Sequence, residues 1–294
     1  MRAKIIATAN FLALALLFPL AGLRNKSALH ETARQQPTFA EAAMQPQTYL
    51  GFDRNNYPGD AALATLRKTF AFSGYWLNAP PGENTTAWTG KREILRSHRF
   101  GFLVLFNGRL DKELQRAPNA TQIGANDAAT AVKAAQLEGF PRSTIIFLDQ
   151  EEGGRMLPKQ RAYLYAWIDA VNATGYRAGV YCSGMPDVTD AGVITANDIR
   201  ENAAARKIAF FIYNDACPPS PGCIFSTTNA TPARSSLPFA SVWQISQSPR
   251  RKNFTSRCSR TYAADGNCYP PGLAAQKIYV DVDVATSPDP STGH

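Results

Sequence analysis

The run Ile145-Ile146-Phe147-Leu148-Asp149-Gln150-Glu151-Glu152 is where the residue types of this 294-residue chain point most directly to chemistry. Asp149 and Glu151 are spaced i, i+2 at the end of an apolar stretch. In an extended strand they point to one side, and Gln150 and Glu152 to the other. Two neighbouring carboxylates oppose each other's ionisation, so one tends to keep its proton at neutral pH. A protonated and an ionised carboxyl together are what glycosidic cleavage requires. Glu151, with the longer side chain, is the expected general acid. Asp149 is expected to orient a nucleophile or to stabilise positive charge at the sugar. The same spacing also arises where acidic residues simply end a strand before a turn such as Gly153-Gly154.

The elements that would hold this pair can be read from patterning. From Tyr49 onward, short apolar runs alternate with longer helical stretches. Strands are expected at Tyr49–Arg54, Ser73–Asn78, Gly101–Asn107, Thr144–Glu151, Arg177–Ser183, Ile208–Asn214, Ser241–Ile245 and Lys277–Val284. Helices are expected at Ala61–Phe70, Lys91–His98, Asn126–Gly139, Lys159–Thr174 and Ile199–Lys207, with Asn126 and Asp127 able to cap the third and Gly139 to end it. Continuously apolar strands suit a parallel sheet covered on both faces. The alternation therefore predicts an α/β fold, a single-domain (β/α)8 barrel of TIM type. The poorly marked later helices and the Pro/Ser/Thr/Cys-rich stretch 215–240 keep a doubly wound open sheet as the alternative.

A parallel barrel brings its C-terminal strand ends to one mouth. That would gather Asp53, Tyr75, Tyr181, Trp243, Gln244, Asp281 and Asp283 around Asp149 and Glu151. Asp53 and one of Asp281 or Asp283 would add negative charge. Tyr75, Tyr181 and Trp243 would offer faces to the C–H patches of sugar rings, or pack in the core. Gln244 and Asp283 are placed with the substrate contacts.

The remaining composition narrows the function. The chain has only 3 His, one of them the last residue, so neither a Ser-His-Asp arrangement nor a His metal site is expected. No Walker or GxGxxG loop occurs. No cofactor, metal or nucleic-acid partner is expected. The formal net charge is +8, which draws an exported protein to anionic polymers and surfaces. Residues 1–23 read as a signal peptide or an uncleaved anchor, with Arg2 and Lys4 before an apolar run. Residues 24–47 read as a linker, 48–287 as the barrel domain and 288–294 as a tail. The reading is of a monomer, secreted or held in the periplasm or cell envelope, touching membrane only through that first segment. The 5 Cys agree with export. The simplest pairing is local, Cys217 with Cys223 and Cys258 with Cys268, leaving Cys182 inside an apolar strand.

Five tracts occur in a telling order: Gly51-Phe52-Asp53, Ile145 to Glu151, Ala178-Gly179-Val180-Tyr181-Cys182-Ser183-Gly184, Val242-Trp243-Gln244-Ile245-Ser246 and Val280-Asp281-Val282-Asp283. Together, over about 49–286, they resemble the glycoside hydrolase family 25 lysozymes. They resemble more closely the related bacterial glycoside hydrolase-like domain found in exported proteins. The resemblance implies a (β/α) barrel and cleavage of the β-1,4 bond of peptidoglycan. It places the general acid at Glu151, with Asp149, Asp53 and Asp281 completing the site. Asp283 stands where those lysozymes often have Asn, so 281 and 283 remain alternatives. The loop 215–235 is not typical of them, and after Asp53 the chain reads Arg54-Asn55-Asn56-Tyr57-Pro58 in place of a Ser-containing turn. Two functions follow: an exported glycoside hydrolase acting on cell-wall polysaccharide, or a catalytically silent carbohydrate-binding protein on the same barrel.

Overall fold

The apolar runs pair into a closed barrel in the computed structural model, which describes residues 47–216, 218–228, 230–250 and 256–294. The signal peptide or anchor, nearly all of the linker, and Cys217 lie outside the described residues. The strands are β1 (Tyr49–Asp53), β2 (Phe72–Trp76), β3 (Gly101–Asn107), β4 (Ile145–Asp149), β5 (Arg177–Ser183), β6 (Pro186–Asp187), β7 (Val193–Ile194), β8 (Ala209–Tyr213), β9 (Val242–Ser246) and β10 (Asp281–Ala285). The short β6 and β7 form a hairpin of their own, and the other eight close in the order β1-β10-β9-β8-β5-β4-β3-β2. The expected TIM-type α/β barrel is the observed fold.

Two features depart from a regular (β/α)8 pattern. β1 to β5, β8 and β9 run parallel around the barrel, but β10 is antiparallel to both β1 and β9. Among the described residues no α-helix intervenes between β8 and β9 or between β9 and β10.

The helices α1 (Leu63–Leu66), α2 (Arg92–Ser97), α3 (Asp111–Arg116), α4 (Ala120–Leu137), α5 (Pro158–Asn172) and α6 (Thr195–Glu201) surround the strands. α4 begins earlier than patterning suggested. Asn119 caps it, its side chain accepting the Gln122 N–H at 3.1 Å. Asp127, expected as a cap, is instead buried inside the helix and takes Arg109 Nε at 2.8 Å and the Tyr163 hydroxyl at 3.0 Å. α5 starts at Pro158, whose missing N–H costs nothing at a first helical position.

The barrel interior is filled by aromatic rings that glycines make room for. A Cβ on Gly51 would strike the Phe72 ring, and one on Gly179 the Phe147 ring. Phe72 and Phe147 are both fully buried, each contributing roughly 1.5–3 kcal/mol of transfer free energy. Residues 288–294, expected as a tail, bond to the N-terminal ends of two strands. Asp289 accepts the Phe102 N–H at 2.8 Å, Ser291 Oγ accepts the Val104 N–H at 2.8 Å, and the Ile145 N–H donates to Ser291 O at 2.8 Å.

The local disulfide pairing is corrected. Cys223 joins Cys268 across 45 residues, with a Cα–Cα distance of 5.5 Å. Cys258 is also disulfide-bonded, and Cys182 is a buried free thiol. The reason is that the two Cys-bearing loops lie against each other rather than folding on themselves. Gly222, at φ 73°, abuts Cys258 and Thr261, and the Cys223 N–H donates to Thr261 Oγ1 at 3.1 Å. Peptide mapping without reduction should recover a Cys223 peptide linked to a Cys268 peptide. Replacing Cys223 by Ser should lower urea-unfolding stability by about 2–4 kcal/mol.

Candidate active site

Because side chains alternate across a strand, every second residue of the barrel faces inward. At the mouth these are Asp53, Trp76, Asp149, Tyr181, Gln244 and Asp281, and all six line one cavity of about 480 Å³. Glu151, Arg54, Gln247, Ser248 and Tyr279 line it as well. β1, β4, β5 and β9 thus supply four of the expected site residues from their C-terminal halves. Asp281 comes from the opposite end of its strand, because β10 runs antiparallel and pairs Asp281 with Asp53.

Asp149 is the last residue of β4 and is buried at 8 % exposure. Glu151 lies just past the strand, exposed at the rim of the cavity. The loop carrying it is tightly held. Glu152 Oε2 accepts the Asp111 N–H at 2.6 Å and the Gln160 side-chain amide at 2.8 Å, tying the starts of α3 and α5 to this turn. Asp198 accepts the Met156 N–H at 2.9 Å and Arg161 Nη2 at 2.8 Å. Gln150, pointing the other way, is buried. Gly108 allows β3 to leave the barrel against the Asp149 backbone, which a Cβ there would strike.

A relay of amides and phenol spans the floor. Gln247 Nε2 donates to the Tyr181 hydroxyl at 2.9 Å, and that hydroxyl donates to Gln244 Oε1 at 2.7 Å. Gln244 Nε2 then donates to Asp53 Oδ2 at 2.8 Å and more weakly to Asp281 Oδ2 at 3.4 Å. Asp281 Oδ1 also accepts the Ser248 backbone N–H. Burial, then the fields of Asp149 and Asp53, push the Tyr181 hydroxyl well above its ordinary value, so it serves as a neutral donor.

Asp53 is pushed up to about 6, chiefly by burial, with hydrogen bonds from Gln244 and Asp283 acting the other way. Asp283 sits one layer below, opposite Gly51 in the register, at 0 % exposure. Its pKa is raised well above the carboxylate range, first by burial and then by Asp53 and Asp281. Neither Asp283 oxygen meets an N–H or O–H donor when ionised. A proton on Asp283 removes this cost, because the acid then donates to Asp53.

Three sequence expectations are therefore corrected. Asp283 does not line the cavity and lies beneath Asp53 as a buried acid. Tyr75 faces outward from β2, packs on Trp88, Phe102 and Phe140, and donates to Glu138 at 2.5 Å. Trp243 is fully buried and donates its indole N–H to Asn214 O at 3.1 Å. In each case the residue lies off the inward series for that position of its strand, or one layer too deep. The aromatic that β2 does present is Trp76, one residue on. The inward side of β2 is marked by Gly74, where a Cβ would strike Asp53 Cβ, a contact between strands that spacing along the chain does not show. Tyr279 was out of reach without the antiparallel direction of β10.

The raised acids set a pH dependence. A carboxyl at about 6 in the fold and near its ordinary value of 3.8 in the unfolded chain binds more protons folded than unfolded between those values. Its stabilisation is complete below the lower value and is lost as pH rises through the upper one. Asp215, raised to about 6 by burial beneath Tyr262, acts in the same direction. Urea unfolding of Asp53→Asn should show a flatter decline between pH 4 and pH 6 than wild type, by on the order of 2–3 kcal/mol.

No curated protein matches the chain. Among solved structures, the chain is similar to an uncharacterized B. stearothermophilus protein at TM-score 0.50 and 20% identity, over 81% of this chain and 95% of that one. It is also similar to the Mycobacterium tuberculosis Tat-secreted protein Rv2525c, at TM-score 0.46 and 15% identity over 85% and 98% of the two chains. A third is the catalytic domain of endolysin ply40 from bacteriophage P40 of Listeria monocytogenes, at TM-score 0.47 and 15% identity over 85% and 100%. The segment 95–209 runs from α2 into β8 and holds Asp149, Glu151 and Tyr181, and it is this segment that matches the family model of the Rv2525c-like, glycoside hydrolase-like domain.

Proposed function

We propose that this protein is an exported glycoside hydrolase acting on cell-wall polysaccharide, with peptidoglycan as the first substrate to test. The observation that carries the reading is the convergence of Asp53, Asp149, Glu151 and Asp281, from distant parts of the chain, on one cavity. The glycoside hydrolase-like match over 95–209 supports it. Trp76 and Tyr181 in the lining offer apolar faces to a sugar. Export is supported by the N-terminal segment and the disulfides, and the protein acts as a monomer.

In this mechanism Glu151, in its acid form, donates its proton to the glycosidic oxygen as the C1–O bond breaks. Positive charge develops at C1, and the Asp149 carboxylate beneath stabilises it. Attack at C1 comes from water, whose proton passes to the Asp149 carboxylate, or from the substrate's own acetamido oxygen where one is present, water then opening that ring and passing its proton to the Glu151 carboxylate. Asp53 and Asp281, fixed by Gln244, hold the negative field of the floor.

One observation favours a second reading. Glu151 is exposed past the strand end rather than enclosed with Asp149, and a general acid benefits from burial that raises its pKa. A catalytically silent carbohydrate-binding protein would keep the aromatic lining and need no such burial. Digestion of purified peptidoglycan, read by mass spectrometry, separates the two. Wild type should release fragments with new reducing ends, and Glu151→Gln should lower the rate by about 10²–10⁴-fold. Saccharide binding without release by wild type would establish the second reading.

A further inference from the structure

Arg54 stands immediately after Asp53 and is the one cation lining the cavity among the described residues. It occupies the turn in which the sequence departs from the Ser-containing pattern of the lysozymes it resembles. Its guanidinium carbon lies 5.4 Å from the centroid of the Tyr279 ring, within reach of a cation–π contact. Tyr279 comes two residues before β10, so the antiparallel closure brings ring and guanidinium to the same rim. The pair is half-buried.

What Arg54 lacks is an ion pair. Among the described residues it joins no salt bridge, although the cavity is acidic, and its buried Nε meets no acceptor. Asp281 acts on it through its field, but the Asp281 oxygens accept from Ser248 and Gln244. A planar guanidinium with donors unspent, placed beside an aromatic ring, is suited to a carboxylate in a bidentate geometry. An arginine remains cationic in any such setting.

We propose that Arg54 is a specificity-determining residue that selects a saccharide bearing a free carboxylate. This rests on the reading of the cavity as a saccharide site. Attraction and repulsion act together to set the register. Asp149, Glu151 and Asp281 disfavour an anionic group over the floor, and Arg54 accepts it at the β1/β10 edge. An anionic sugar is thus held with its carboxylate at that edge and its neutral ring over Trp76 and Tyr181.

The test uses the full chain and two pairs of oligosaccharides. One pair carries free muramic-acid carboxylates or their carboxyl-reduced form, the other uronic-acid carboxylates or their reduced form. Binding is measured by calorimetry for wild type, Arg54→Met, Arg54→Gln and Arg54→Lys, and hydrolysis is followed separately. Wild type should bind the acidic member of at least one pair about 10- to 100-fold more tightly than its reduced twin, and the pair that shows it identifies the source of the carboxylate. Arg54→Met should erase the ratio by weakening only the acidic member, with Arg54→Gln serving if Met impairs folding, and Arg54→Lys should keep part of it. Equal binding of both twins by wild type, an unchanged ratio in Arg54→Met and Arg54→Gln, or no binding to any of the four would overturn the proposal. A preserved ratio without cleavage would instead overturn the hydrolase reading and leave Arg54's role standing.

Discussion

The antiparallel return of β10 is the constraint on which the site depends. Had the last strand entered parallel, through a crossover helix, Asp281 would sit at the bottom of the barrel, away from Asp53. With β10 reversed, Asp281 meets Asp53 in the register and Asp283 falls one layer below, against Gly51. The barrel closes with carboxylates stacked along one seam, a costly arrangement in a low-dielectric interior.

The structure offsets that cost in identifiable ways. Asp283 is held in its acid form by burial and by the charges above it, so the seam carries fewer charges than its residue count. Gln244 donates to both Asp53 and Asp281 with one amide group, and Tyr181 and Gln247 fix which end of that amide faces them. Ser248 contributes a backbone N–H to Asp281. Each donor comes from β5, β9 or the turn after β9, so the geometry of one wall is set by its neighbours. Arg54 is placed by the same closure, since Tyr279 reaches it only because the chain enters β10 at the mouth.

The loops after β8 and β9 are held by cross-links as well as by packing. Phe225 packs on Phe70 and Phe239 on Phe210, and the Cys223–Cys268 disulfide, the Thr261 hydroxyl, and Asp215 buried under Tyr262 fix the rest. They stand where helices would complete a regular barrel, and Gln247, Ser248 and Pro249 of the second loop form part of the cavity wall. Cross-linking here adds to the burial of Leu237, Tyr262 and Leu273 where no outer helix covers the strands.

The sequence by itself determined the strands, the barrel and most of the mouth. Apolar runs such as Gly101–Asn107 and Arg177–Ser183 carry their own burial pattern, and the rule that a parallel barrel brings its strand ends to one mouth gathered Asp149, Tyr181, Gln244 and Asp53. Local spacing could not supply strand direction, because a run of Val and Asp reads alike in both senses. That direction decided between Asp281 and Asp283 and brought Tyr279 to Arg54. It could not supply the inward phase of β2 either, which rests on Gly74 meeting Asp53 and which exchanged Tyr75 for Trp76. Nor could it give the cysteine pairing, which depends on two loops meeting in space rather than on the distance between cysteines along the chain. Those choices were made by the tertiary structure, because each is a contact between segments whose separation in sequence carries no information about their approach.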